Sequence, residues 1–201
     1  PSTTPGPVRA LLEAELAYYR GDLEAVLAFR QARANEGARV SGNAPGSNPG
    51  PAHERMALLY HLLGQDSLRD AYADSLRQAS QTVLDAAVAT PGPVQSGVIA
   101  RAHAKLGLAY ALLGESINAV AEGSTAVASL SVHDDAYAGA DHIRDLVLIY
   151  TLIGATDLAI QELETALAIP SPLSRVDLTL DPVFQPLRQD PSFSELLASV
   201  Q

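Results

Sequence analysis

The chain has 201 residues, of which 47% are apolar, so it is long and hydrophobic enough to bury one substantial core. Its 13 basic and 23 acidic residues give a formal charge of −10, which disfavours attraction to nucleic acids and to anionic membranes. The absence of cysteine excludes disulfides, thiolate nucleophiles and cysteine-ligated zinc.

The first fifty residues predict one helical hairpin followed by a long loop. Residues 1–7 are rich in proline and glycine, without an initiator methionine or an apolar signal core, as expected of a fragment or a processed chain. Residues 8–35 place apolar side chains at helical spacing on both sides of Gly21. Residues 36–50 hold Gly, Ser, Asn and Pro at a density that predicts a loop.

Three further helical hairpins are predicted over residues 51–89, 96–131 and 136–169. Glycine and proline interrupt the apolar periodicity at the hairpin turns and between hairpins, which divides each hairpin into two helices. The predicted helices span residues 52–63, 66–89, 96–113, 116–130, 137–153 and 156–168. No segment alternates apolar and polar residues over the length of a strand, so the predicted fold is all-α.

A short phrase recurs at the predicted turns: Tyr-His-Leu-Leu-Gly ends at Gly64, Tyr-Ala-Leu-Leu-Gly at Gly114 and Tyr-Thr-Leu-Ile-Gly at Gly154. Repeats of this period are typical of stacked helical hairpins. Small and large residues fall at the spacing of the tetratricopeptide repeat in residues 100–131 and again in 140–171. The residues that carry the match are Leu106, Gly107, Tyr110, Gly114, Ala119 and Ala126, then Leu146, Tyr150, Gly154, Ala159, Leu163 and Ala166.

The chain therefore resembles the tetratricopeptide-repeat family. The resemblance implies a single domain over residues 1–201, folded as a right-handed superhelical array of antiparallel helix hairpins. Small residues at the matched positions are expected to let the paired helices approach closely. The sequence departs from the repeat at Gly123, where a large aromatic residue is usual, and at Val147, which replaces a glycine.

Residues 173–199 predict a helical cap on the array. Asp181 and Asp190 each precede a proline, a pattern typical of helix starts. Large apolar residues of this segment are expected to cover the open end of the stack: Phe184, Leu187, Phe193, Leu196 and Leu197. The segment resembles the C-terminal end of repeat regions in bacterial signalling proteins, which implies a larger regulator. Its compartment stays open between the bacterial cytoplasm and the extracytoplasmic part of a membrane-associated protein.

Catalytic and metal-binding patterns are weak, so we expect no enzyme, no cofactor and no metal. His53-Glu54 lacks the second histidine of a zinc-protease helix. Residues 133–135 and the pair Asp141-His142 cluster His and Asp, which could bind a metal or act as acid and base. Acidic residues at helix starts more often stabilise the helix N-terminus, and we adopt that interpretation. Residues 42–50 lack the Lys-Ser/Thr ending of a phosphate-binding loop.

Four cations are the candidate binding residues. In the family that the chain resembles, the first helices of the hairpins line a groove whose cations clamp the carboxylates of a partner. The corresponding positions here are Arg55, Arg101, Lys105 and Arg144. Gathered in an acidic molecule, they are expected to favour an acidic or C-terminal peptide. The alternative is that these side chains are solvated or paired with nearby carboxylates.

The sequence thus favours a non-catalytic protein-interaction module that binds a protein or peptide, without nucleic acid. Two alternatives stay open. One is a sensor that binds a small molecule in the same groove. The other is a self-association module that uses the long helix 66–89 to form a homodimer. The longest apolar stretch, residues 146–155, has about half the length that a bilayer-spanning helix needs, so no membrane insertion is expected.

Overall fold

The computed structural model describes residues 7–40, 50–90, 92, 95–130, 135–169 and 173–199, and every regular element within them is helical. The α-helices are α1 (Pro7–Tyr19), α2 (Leu23–Val40), α3 (Gly50–Leu62), α4 (Asp66–Ala89), α5 (Gln95–Leu112), α6 (Ser116–Ser129), α7 (Ala136–Leu152), α8 (Thr156–Leu167), α9 (Arg175–Leu180) and α10 (Pro191–Ser199). Two 3-10 turns, Pro182–Phe184 and Leu187–Gln189, lie between α9 and α10.

The helix bounds lie within two residues of those predicted from the glycine and proline breakers, except at the predicted loop 36–50. There, α2 continues to Val40 and α3 begins at Gly50. Residues 36–40 were predicted to be loop because Gly37 and Ser41 interrupt the pattern, but a single glycine costs a helix only about 1 kcal/mol. The remainder of that predicted loop, 41–49, lies outside the described residues.

The same hydrogen-bonded turn reverses the chain in each hairpin. At the turn between α5 and α6, Gly114 has φ +79°, its N–H donates to the carbonyl of Ala111, and the N–H of Glu115 donates to the carbonyl of Tyr110. This pair of bonds is the Schellman motif, which needs a left-handed residue and therefore favours glycine. Gly21, Gly64 and Gly154 share the positive φ and the bonding pattern.

Neighbouring helices pack in sequence order. Within the hairpins, α1 contacts α2, α3 contacts α4, α5 contacts α6, and α7 contacts α8. Between hairpins, α5 contacts both α3 and α4, while α7 contacts both α5 and α6. One buried core joins the helices from α3 onward with the C-terminal segment, and a smaller one joins α2 to α3.

Glycine permits a close approach between α5 and α6 and between α6 and α7. A Cβ on Gly107 would lie 2.9 Å from the carbonyl oxygen of Ala119 and 2.7 Å from Cδ1 of Ile149. A Cβ on Gly123 would lie 2.8 Å from the same Ile149 atom and 2.9 Å from Cδ1 of Leu146. Side chains of α7 therefore fill the space where the tetratricopeptide pattern places an aromatic residue on α6.

The predicted small packing residues are buried. The alanines expected at helix contacts have no exposed surface: Ala119, Ala126, Ala159 and Ala166. Tyr60 and Tyr150, at the ends of α3 and α7, are buried as well, whereas Tyr110 is partly exposed.

The C-terminal segment begins with a capped helix that the sequence analysis did not identify. Ser174 and Asp177 form a capping box at the start of α9. The predicted starts at Asp181 and Asp190 are confirmed, since their carboxylates accept the N–H groups of Val183 and Ser192. Leu187 and Phe193, predicted to cover the stack, are both buried, and α10 contacts α8.

The C-terminal segment also contacts helices from the first half of the chain. The 3-10 turn Pro182–Phe184 contacts both α3 and α7. The hydroxyl of Tyr18 on α1 donates to Asp181, and that of Tyr19 donates to Asp177. Because α1, α3 and α7 all meet this one segment, the first helices of three hairpins face a common side.

Candidate functional site

Three of the four predicted cations lie along one groove, and the fourth lies along another. Arg101 and Lys105 of α5 and Arg144 of α7 line a groove of about 760 Å³, here called the central groove. Arg55 of α3 lines a groove of about 600 Å³ whose other walls are α1 and α2, here called the basic groove.

The central groove has an apolar wall and a polar wall. The apolar wall comes from α4, which turns side chains at helical spacing toward the groove: Leu76, Ala79, Ser80 and Val83. The polar wall comes from α7, which contributes Asp141, His142, Arg144 and Asp145. The first half of α5 forms the floor between them, with Val98, Arg101, Ala102 and Lys105.

Lys105 is engaged within the protein rather than available to a partner. Its Nζ donates to Oδ2 of Asp145 at 2.8 Å and to Oε1 of Glu54 at 3.1 Å. Arg144 donates to Oδ1 of the same Asp145 at 2.9 Å. These contacts join α3, α5 and α7 around the buried carboxylate of Asp145, and a buried charge is tolerated in a protein only when it is paired.

The protonation states of this network follow from its pairing. Burial opposes ionisation of Asp145, but Lys105 and Arg144 outweigh it and hold the pKa of the carboxyl below its usual value. Burial likewise opposes the charge of Lys105, and Asp145 and Glu54 outweigh it, so the pKa of the ammonium is raised. Lys105 and Asp145 are therefore both charged at neutral pH.

The expected concentration of positive charge is not found in the central groove. Its three cations are offset by four carboxylates on the same walls: Glu54, Asp135, Asp141 and Asp145. The expectation fails because α7 and α3 turn their acidic residues toward the cations. The alternative of cations paired to nearby carboxylates is the one observed for Lys105 and Arg144.

Arg101 is the cation of this groove that stays available. Its side chain is exposed, and it forms no ion pair or hydrogen bond with any residue in the described part of the chain. It lies one helical turn before Lys105, on the same face of α5. Arg101 is therefore the cation of the central groove that could pair with an anionic ligand.

His142 lines the same groove with an unusual lack of partners. It is 4% exposed, and neither of its ring nitrogens has a hydrogen-bond partner. Burial lowers the pKa of its imidazole; Asp145 and Asp141 oppose that shift, whereas Lys105 and Arg101 add to it. The ring is therefore neutral at pH 7, with one donor and one acceptor unused.

The basic groove gathers a second set of cations. Arg30 and Arg33 of α2 line it together with Arg55, and Glu15 of α1 is the carboxylate among its lining residues. Tyr18, Tyr19 and Phe29 provide aromatic surface.

Of the His and Asp clusters considered as metal or catalytic sites, Asp135 lies at a helix start, whereas Asp141 and His142 line the central groove. Asp135 accepts the N–H of Ala138 at the start of α7, as expected of a helix-stabilising residue. His103 bonds through Nδ1 to Oε2 of Glu122 at 2.6 Å. Within the described residues, no three His, Asp or Glu side chains are arranged to hold a metal ion. Residues 133 and 134 lie outside them.

Sequence reasoning missed the partners of the cations and the residues around Arg55. Glu54 and Asp145 lie 51 and 40 positions from Lys105, so their pairing depends on how hairpins stack and leaves no local signal. Arg30 and Arg33 were identifiable only as two arginines one turn apart on α2. The burial of His142 had a signal, since it lies one helical turn before Leu146, which is buried.

Comparison with protein-family models, with curated proteins and with solved structures found no match to this chain. A search of the described helices found none with the length and hydrophobicity required to cross a lipid bilayer.

Proposed function

We propose that the chain is a non-catalytic interaction module of the tetratricopeptide type, a right-handed array of helix hairpins that belongs to a larger bacterial regulator. Four Schellman turns with the same bonding pattern support a common hairpin unit. The buried small residues at helix contacts, from Gly107 to Ala166, support the repeat register.

The module binds a short protein segment in the central groove. The observation that carries this proposal is Arg101, an exposed cation without an ionic partner among the described residues, next to an apolar wall formed by α4. A volume of about 760 Å³ lies within the range of ligand-binding clefts. Because the groove as a whole is not positive, the segment that fits it is mostly apolar and carries one carboxylate, which pairs with Arg101.

Peptide display tests this proposal. A random peptide library is selected on the purified protein and on its Arg101→Gln variant, with Arg175→Gln as a matched control outside both grooves. We expect enriched peptides with one acidic position beside apolar positions. Their affinity, measured by fluorescence polarisation, should fall about tenfold in Arg101→Gln and stay unchanged in Arg175→Gln, since an ion pair with good geometry contributes on the order of 1–3 kcal/mol. Enrichment that does not depend on Arg101 would exclude this mode of binding.

A small-molecule sensor is the second candidate, and His142 favours it. A buried neutral imidazole with an unused donor and acceptor is costly unless a ligand or water pairs with it. A thermal-shift screen of neutral polar metabolites, run in parallel on His142→Leu, separates the two candidates. Stabilisation that disappears in His142→Leu and persists in Arg101→Gln identifies a sensor.

Self-association through α4 has less support. The exposed large apolar side chains on α4 are Leu68 and Val88, at opposite ends of the helix and about 30 Å apart along its axis. Two isolated residues do not form the contiguous patch that a stable dimer requires. A mass that stays monomeric in light scattering across a hundredfold range of concentration is the expected result.

A further inference from the structure

The basic groove presents three arginines in a molecule with a formal charge of −10. Arg30 and Arg33 lie one turn apart on α2, and Arg55 faces them from α3. Arg30 is partly buried. This concentration of cations is not shared by the central groove, where carboxylates balance the charge.

The two facing arginines lack partners. Neither Arg30 nor Arg55 makes a hydrogen bond or ion pair with any residue that the structure describes. Arg55 is exposed, but Arg30 is partly buried, and a partly buried guanidinium is normally paired. The pKa of Arg30 is lowered, first by burial and then by the neighbouring charge of Arg55. An anion between them would relieve both effects.

The nearby carboxylates do not supply that anion. Glu15 lies on the groove wall but forms no ion pair with the arginines. Asp181 accepts the hydroxyl of Tyr18 at 2.6 Å, and Asp177 accepts the hydroxyl of Tyr19 at 3.2 Å. Asp181 and Asp177 are therefore directed to the tyrosines, and Glu15 raises the pKa of Arg30 only in part, without an ion pair, so that burial and Arg55 still outweigh it.

Aromatic side chains surround the same space. Tyr18 and Tyr19 pack edge to face with ring centroids 5.6 Å apart. The guanidinium of Arg33 lies 6.0 Å from the centroid of the Phe29 ring. Leu11 and Met56 complete an apolar surface beside the arginines. A flat apolar group would pack against these side chains while an attached anion reached Arg30 and Arg55.

We propose that the basic groove is a binding site for a small organic phosphate that carries an aromatic ring. The phosphate lies between Arg30 and Arg55, because a dianion neutralises two guanidinium groups and accepts hydrogen bonds from both. The ring packs against Phe29 and Tyr19. The groove volume of about 600 Å³ fits a ligand of this size. The site shares no lining residue with the central groove, so its test does not depend on the function proposed there.

Calorimetric titration of phenyl phosphate at pH 7.5, where the phosphate is a dianion, tests the site. The comparison uses the wild-type protein, Arg30→Gln, Arg55→Gln and the control Arg20→Gln, an exposed arginine of the same hairpin outside the groove. We expect binding to weaken at least tenfold in both groove variants and to stay unchanged in the control. Absent binding, or equal binding in all four proteins, overturns the proposal.

Four further measurements test whether the site is specific for an aromatic phosphate. Phenol should not bind, because it lacks the anion, and inorganic phosphate should bind more weakly than phenyl phosphate, because it lacks the ring. If benzoate binds as tightly as phenyl phosphate, a single negative charge is enough for binding, and the proposal of a phosphate site is overturned. Without ligand, Arg30→Gln should melt at or above the wild-type temperature, since it removes the repulsion from Arg55. A lower melting temperature would mean that Arg30 supports the fold instead.

Discussion

The hydroxyl of Tyr18 donates a hydrogen bond of 2.6 Å to Oδ1 of Asp181, which lies 163 positions further along the chain. The same carboxyl oxygen accepts the N–H of Val183 at 3.0 Å. One carboxylate therefore starts the first 3-10 turn of the C-terminal segment and holds that segment against α1. This hydrogen bond joins the first hairpin directly to the C-terminal segment, although three hairpins lie between them in the sequence.

Tyr18→Phe should weaken this joint. A hydrogen bond to a charged group contributes about 1.5–3 kcal/mol, so we expect the free energy of unfolding to fall by that amount. Tyr19→Phe is the matched control, because its hydroxyl bonds to Asp177 at 3.2 Å in an exposed position, and it should cost less than about 0.5 kcal/mol. Urea denaturation measures both. Equal losses in the two variants would contradict a specific role for Tyr18.

Gly107→Ala should destabilise the protein by about 1–3 kcal/mol or more, because the added Cβ would press on the backbone of α6 and on Ile149. Gly97→Ala, in the same helix, is the control, because its Cβ would meet Cδ2 of Leu130 at 3.9 Å, an ordinary van der Waals contact. Alanine has the higher helix propensity, so Gly97→Ala should be neutral or stabilising by up to about 1 kcal/mol. Thermal melts that shift equally for both would disprove the close helix contact.

Asp145→Leu should be among the most damaging single changes in the central groove. It leaves Lys105 buried with one remaining partner, and breaking a buried ion pair costs about 3–5 kcal/mol. Adding Lys105→Met in the same protein should recover part of that loss, because the ammonium that lost Asp145 is then removed, whereas Glu54 and the more exposed Arg144 each lose an ion pair. Arg101→Gln should change stability by less than about 0.5 kcal/mol. A double variant no more stable than Asp145→Leu would argue against the pairing.

Stability should fall as pH drops below neutrality, partly because of His142. Its folded pKa lies below its unfolded value, so the unfolded chain binds the proton first as pH falls through about 6.5. The loss begins there and continues until pH reaches the folded pKa. His61 contributes in the same direction, since burial and then Arg69 lower its pKa.

His142→Leu tests the assignment. Removing both unpaired nitrogens should leave stability at pH 7 unchanged or raised, and should flatten its decline between pH 7 and pH 5. The slope that persists belongs to His61 and should disappear when His61→Gln is added. An unaltered pH profile in the double variant would exclude both histidines as the cause.

The sequence was informative where structure depends on near neighbours. Glycine at 114 and aspartate at 190 act through bonds to residues within a few positions, so the turns and helix starts could be predicted. The pairing of Lys105 with Asp145 and of Tyr18 with Asp181 could not, because each depends on which faces meet after the hairpins stack. Three of the four predicted cations line the central groove, but the carboxylates that face them could not be predicted.

The contact of Ile149 with both Gly107 and Gly123 gives the hairpins a fixed order. The turns at Gly114 and Gly154 are alike, so their hairpins would be interchangeable if only local geometry mattered. Ile149, however, needs a preceding hairpin with glycine at two matching positions, and the α5–α6 hairpin supplies them. A variant in which these two hairpins were exchanged in chain order would keep every turn. It would still lose the packing of Ile149 against Gly107 and Gly123.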